Sequence, residues 1–78
     1  MKREEIISRL NEIIEDIIDE GPVSLSDTTT AHDIAGWDSL VNIQLIVAIE
    51  KSMNIKFTSE EIQSWKNVGD TVDCILTK

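Results

Sequence analysis

Asp38 and Ser39 stand together at the close of a long polar connection, behind Gly36 and Trp37 and just ahead of an apolar run that reaches Met53. Asp and Ser are the residue types that cap a helix, because their side-chain oxygens accept from the N–H groups the first turn leaves unpaired. With Asp38 as the cap, Ser39 falls in the first turn with its hydroxyl at the positive end of the helix dipole. An anion joined to that oxygen meets free N–H donors and a favourable field. The plainer reading is that the pair only caps a helix. A hydrolytic triad of His32, Asp38 and Ser39 is not supported, since the chain lacks the Gly-x-Ser-x-Gly elbow that presents such a nucleophile. His32, the single histidine, has no Cys or second His nearby to form a metal site and reads as a loop residue. Asp16, Asp19 and Glu20 crowd the negative end of the preceding helix, a candidate weak site for a divalent cation or simply a solvated acidic face.

The helix that carries Ser39 has two apolar faces. At 100° per residue, Val41, Leu45, Ala48 and Ile49 share one, while Leu40, Ile43 and Val47 share another. The first faces a core. The second either packs against a further layer of the protein or meets a partner or an apolar cargo, and periodicity alone leaves both open.

The remaining elements must hold that helix. Ile6, Ile7, Leu10, Ile13, Ile14, Ile17 and Ile18 recur at helical spacing and predict an amphipathic helix over 4–19, stopped by Gly21-Pro22. From Val23 to Trp37 the chain is polar, with Val23, Leu25, Ile34 and Trp37 as apolar pins and a short turn expected at Asp27-Thr28 or Thr30. So long a connection is uncommon unless it packs as an ordered loop. Asn54 marks the end of the central helix. Thr58 and Glu61 form a capping box for a short helix with Ile62 and Trp65, and Asn67 caps a last helix running to about Leu76. Val68, Val72, Ile75 and Leu76 are its expected core stripe, with Cys74 a small hydrophobe nearby. The expected fold is all-α: a small antiparallel four-helix bundle of three longer helices and one short, with a long loop between the first two.

Size and charge narrow the function. Seventy-eight residues, read as one domain over 1–78, bury only about 60% of their unfolded surface, too little to enclose a deep active site. Fifteen Asp and Glu against seven Lys and Arg give a net charge of -8, which argues against nucleic acid and anionic membranes as partners. That balance suits transient docking to basic patches on other proteins, or plain solubility. One cysteine and no recognisable signal segment point to a reducing, cytoplasmic setting, and no apolar run nears the roughly 20 residues of a membrane span. No base, nucleophile and oxyanion donors are grouped, so an enzyme is not expected.

Taken together, Gly36, Asp38-Ser39-Leu40, the apolar helix ending in Ile49-Glu50, Ile55-x-Phe57 and Thr58-x-x-Glu61-Ile62 resemble the acyl carrier proteins and peptidyl carrier domains along the whole chain. The resemblance implies a covalent 4'-phosphopantetheine on Ser39, transferred from coenzyme A, whose thiol holds an acyl or aminoacyl group as a thioester. Asp38 is then the residue that aids recognition by the phosphopantetheinyl transferase. Leu40, Ile43, Val47 and Glu50 become the surface that partner enzymes read, or the apolar three line a cavity for the cargo. The implied partners are that transferase, an acyl- or aminoacyl-activating ligase, and an acyltransferase or synthase, served by a monomer. Gln44 and Glu50-Lys51 stand where carriers of fatty acid synthesis are usually acidic, and Trp37 precedes Asp38 as in stand-alone carriers. Those departures imply a specialised pathway. The competing reading is a non-covalent acidic adaptor that binds a partner through Leu40, Ile43 and Val47, with Ser39 only a cap.

Overall fold

The structure, a computed structural model, describes residues 2–19 and 23–78. Among them stand four α-helices and a 3-10 turn: α1 (Arg3–Ile18), the turn Ala31–Asp33, α2 (Ser39–Met53), α3 (Ser59–Ser64) and α4 (Val68–Leu76). The all-helical bundle expected from the apolar spacing is the one found. α1 packs on both α2 and α4, and α3 rests against α4.

Each helix follows from its residues. Ile6, Leu10 and Ile14, four apart on one face of α1, are at most 2% exposed, and Ile7, Ile13, Ile17 and Ile18 pack around them. α1 ends one residue before the expected boundary because Asp19 turns into the left-handed region at φ 56°, its N–H donating to Glu15 O. A short polar side chain tolerates that conformation, so Asp19 terminates the helix. The expected stop at Gly21-Pro22 lies outside the described residues. From α2, Leu45 and Ile49 enter the core with Val72 and Ile75 of α4. Burying an isoleucine such as Ile49 stabilises the fold by roughly 2 kcal/mol. Asn54, left-handed at φ 55°, closes α2, and its N–H and that of Ile55 both donate to Glu50 O.

One core assignment needs correction. Leu76, expected in the stripe of α4, is 46% exposed. Val68, Val72 and Ile75 line up along the buried edge, and Leu76, a step of about 100° beyond Ile75, turns away from it.

The long connection is ordered by its backbone. Val23 N–H donates to Glu15 Oε2 (2.9 Å) and Leu25 N–H to Asn11 Oδ1 (3.0 Å), so polar groups of α1 hold the first stretch while Leu25 enters the core. Farther on, the loop supplies carbonyls to the start of α4: Val68 N–H donates to Thr29 O and Gly69 N–H to Asp27 O, each at 2.8 Å. The approach is so close that a Cβ on Gly69 would sit 2.7 Å from Asp27 O, which is why a glycine stands there. Arg3 fastens the same junction, donating through Nε to Asp27 Oδ1 (2.9 Å), through Nη1 to Asp73 Oδ1 (2.6 Å) and through Nη2 to Gly69 O (3.2 Å). Thr30, one of the two expected turn positions, opens the 3-10 turn with its N–H on Asp33 Oδ2, and a second turn falls at Asp27-Thr28.

Candidate functional site

Gly36, at φ 87°, adopts a conformation that residues with a Cβ avoid, and so brings the loop round to the head of α2. Trp37 then fixes the entry: its indole Nε1–H donates to Asn42 Oδ1 at 3.2 Å, tying the last loop residues to the first turns of the helix. Asp38 is the N-cap in extended conformation, with Oδ1 accepting from Val41 N–H at 2.9 Å and its carbonyl accepting from Asn42 N–H. Ser39 is the first helical residue and is exposed. The Ser39 and Leu40 N–H groups take part in no hydrogen bond among the described residues, so two donors of the first turn face outward beside the Ser39 hydroxyl. Asp38 therefore satisfies one orphan donor and leaves two for an anion.

An open depression of about 420 Å³ adjoins this point, lined by Ala31, His32, Trp37, Asp38, Ser39, Asn42 and Trp65. His32, Asp38 and Ser39 thus do share a surface. No hydrogen bond joins them, and the Asp38 carboxylate is committed to Val41, so they form no acid–base relay.

The second apolar face of α2 is on the surface. Leu40, Ile43 and Val47 are 63%, 59% and 42% exposed, so no further layer packs over them among the described residues. The run from Ser39 to Ile49 carries no charged side chain, so the face beside Ser39 is a neutral strip on a chain of net charge -8. Glu50, expected on the same surface, is half-buried, and its Oε2 accepts from Phe57 N–H at 2.9 Å. One of its oxygens thus braces the link between α2 and α3.

The acidic end of α1 is less gathered than its sequence suggests. Asp16 and Asp19 are exposed, the Glu15 carboxylate is taken by Val23 N–H, and Glu20 lies outside the described residues. Among the described residues no three acidic, His or Cys side chains come close enough to hold a metal ion.

Two features escaped the sequence reading. Trp65 reaches the depression beside Ser39 and is held edge-on against Phe57, ring centroids 4.9 Å apart. Its spacing from Ile62 gave the helix but not this direction. Glu61, read as the N3 partner in a capping box, also takes Lys78 Nζ on both oxygens at 2.8 Å. The bond from Lys78, and after it the Thr58 N–H, hold its carboxyl down to about 2 from an ordinary 4.5. The Cys74 thiol, 3.5 Å from Glu61 Oε2, is pushed up by burial and then by that carboxylate, so it is a poor nucleophile.

A family model described as a phosphopantetheine attachment site matches residues 8–75. This chain belongs to that family. Attachment-site relatives include the acyl carrier protein of Caulobacter vibrioides, 28% identical over 74 residues and covering 95% of each chain. The acyl carrier protein of Clostridium perfringens is 31% identical over 70 residues, covering 90% of this chain and 92% of its own. The solution NMR structure of the holo acyl carrier protein from Geobacter metallireducens superposes with a TM-score of 0.84 at 39% identity, over 92% of this chain and 83% of that one. The residues present fit the family's group: an exposed hydroxyl, two outward N–H donors for a phosphodiester, and open space alongside.

Proposed function

We propose that Ser39 Oγ is the atom to which 4'-phosphopantetheine is joined, with Asp38 beside it as the residue that the phosphopantetheinyl transferase reads. The observation that carries this is the exposed Ser39 hydroxyl at a helix start whose Ser39 and Leu40 N–H groups have no partner among the described residues. The chain works as an acyl carrier protein; it carries and does not catalyse. When bound, the group supplies a thiol that holds an acyl group as a thioester. Ser39 anchors it, and Asp38 fixes the first turn so that the remaining donors point toward the phosphodiester.

Leu40, Ile43 and Val47 are the surface we assign to partner enzymes, which must come close to Ser39 to act on the cargo. They begin one residue from it and are exposed without a charged neighbour up to Ile49. Glu50 adds to that surface only through the oxygen not held by Phe57. Besides the transferase, the partners are an activating ligase and an acyltransferase or synthase of a specialised pathway, supported by Gln44 and Lys51 in place of acids along α2. The lone Cys74, unpaired in a disulfide, supports a reducing cytoplasmic setting, and no helix among the described residues is long and apolar enough to cross a membrane.

The test is the intact mass after incubation with coenzyme A, Mg²⁺ and a transferase of broad tolerance. The expected result is a gain of one phosphopantetheinyl group by the wild type and none by Ser39→Ala. Failure of several such transferases to add the group to wild-type protein, or its addition to Ser39→Ala, overturns the assignment.

A further inference from the structure

The end of α2 farthest from Ser39 differs in charge from the rest of the molecule. Between Ser39 and Ser59 only Glu50, Lys51 and Lys56 are charged, a net +1 in a chain of net charge -8. Glu50 is half-buried and accepts from Phe57 N–H through one oxygen. Lys51 and Lys56 are exposed and enter no ion pair among the described residues. Their ammonium charge is unspent.

The same end carries apolar surface. Two open hollows meet at Ile55. One, of about 250 Å³, is lined by Val47, Glu50, Lys51, Asn54, Ile55 and Lys56. The other, of about 220 Å³, is lined by Ile6, Met53, Ile55, Ile75, Leu76 and Lys78. Leu76, which turns away from the core stripe of α4, thus borders the second hollow and stays exposed there. Lys78 gives its ammonium to Glu61, so Lys51 and Lys56 dominate the charge of the patch. An engineered cavity of about 150 Å³ takes one benzene, so each hollow has room for an apolar side chain.

Apolar hollows beside two unpaired ammonium groups match a ligand that is itself apolar and anionic. Elsewhere the acidic helices repel such a ligand, so it is directed to this end. A basic segment is drawn to those helices instead. An anionic membrane meets the whole molecule and its charge of -8, whereas a short segment meets only the patch. α2 has 15 residues and rises about 1.5 Å per residue, so a segment on Ile55 lies roughly 20 Å from Ser39 and leaves that hydroxyl open.

We propose that the patch around Ile55, Lys51 and Lys56 is a docking surface for an acidic amphipathic segment of a partner protein, which holds the chain by the end opposite its reactive serine.

The experiment titrates full-length ¹⁵N-labelled protein with a synthetic helical peptide of leucine and glutamate in amphipathic order. Its counterpart with lysine for glutamate, and vesicles of phosphatidylcholine and phosphatidylserine, are run alongside. The glutamate peptide moves the amide cross-peaks of Lys51, Ile55, Lys56 and Leu76 and leaves those of Ser39 and Leu40 in place. The lysine peptide moves amides of α1 instead, and the vesicles move none. Lys51→Glu with Lys56→Glu weakens binding of the glutamate peptide about tenfold. Lys51→Gln with Lys56→Gln, a milder change at two exposed positions, weakens it less and in the same direction. Binding indifferent to both pairs of changes, or displacement of Leu40 and Ile43 in place of Ile55, overturns the proposal. So does a response of these amides to the vesicles, which makes the ligand a lipid surface, or to dilution of the protein alone, which makes it a second copy.

Discussion

α2 and α4 begin alike and are used differently. Each has an Asx cap accepting from the third residue on, Asp38 from Val41 and Asn67 from Asp70, both at 2.9 Å. At α4 the next two N–H groups, of Val68 and Gly69, are filled by carbonyls of the loop, and the helix start is buried. At α2 the corresponding groups, of Ser39 and Leu40, are left to the outside. A helix start is a set of unpaired donors with a positive field. One such set anchors the loop, and the other is the one we assign to an anion. The difference lies in what approaches, since the caps are equivalent.

Substitutions separate the two starts. Gly69→Ala gives the largest effect, because the added methyl meets Asp27 O at 2.7 Å and both loop bonds must yield. Even after about 1 kcal/mol of improved helix propensity, a net loss of about 2 kcal/mol is expected, a fall in Tm of roughly 10 °C. Ser39→Ala, at an exposed position, should stay within about 0.5 kcal/mol of wild type in thermal melts of the unmodified protein. Equal losses would erase the distinction. Next come the caps: Asn67→Ala and Asp38→Ala should each cost about 1 kcal/mol by denaturant titration. Only Asp38→Ala should also slow addition of the arm; slowing by Asn67→Ala would mean that the α4 start contributes to transferase recognition.

Val47→Asp tests what lies beside the open start. Val47 is 42% exposed, so stability should shift by no more than about 0.5 kcal/mol, while transferase binding weakens. Because the strip from Ser39 to Ile49 is uncharged, wild-type binding through it should also change little as salt is raised, measured by titration calorimetry. A steep loss with salt would shift the docking surface to the acidic helices instead.

The smallest effect concerns acid. Glu61 has a folded-state carboxyl near 2 against an ordinary 4.5, so its contribution is whole above about pH 4.5 and is lost as pH falls toward about 2. Glu61→Gln should accordingly show a shallower decline in Tm across that window. Parallel declines for the two proteins would mean that the Lys78 contact does not persist in solution.

Much of this was legible in the sequence because it is local. Residue type and position mark Asp38, Thr58 and Asn67 as caps, and each accepts the N–H expected of it. The core positions of α1 and α2 followed from spacing. What was not legible joins residues far apart. Arg3 reaches Asp27 and Asp73, Glu50 turns inward to Phe57, and Gly69 is met by a loop carbonyl. Periodicity ranks faces of one helix and carries no information on which loop atom will approach another. The same limit applied at the site. The candidacy of Ser39 and its apolar neighbours is a matter of residue type and spacing, whereas exposure of Leu40, Ile43 and Val47, and the arrival of Trp65 beside Ser39, depend on how the elements stack.

Arg3 has a practical bearing on anyone who handles this protein. Its guanidinium is the buckle that closes loop, α1 and α4 into one belt, though it stands at the front of the chain. Trimming a few leading residues would open that buckle at Asp27, the residue whose carbonyl holds Gly69, and the slack would be felt at the opposite end of the sequence. Labels and fusions are better placed where they leave those first residues whole.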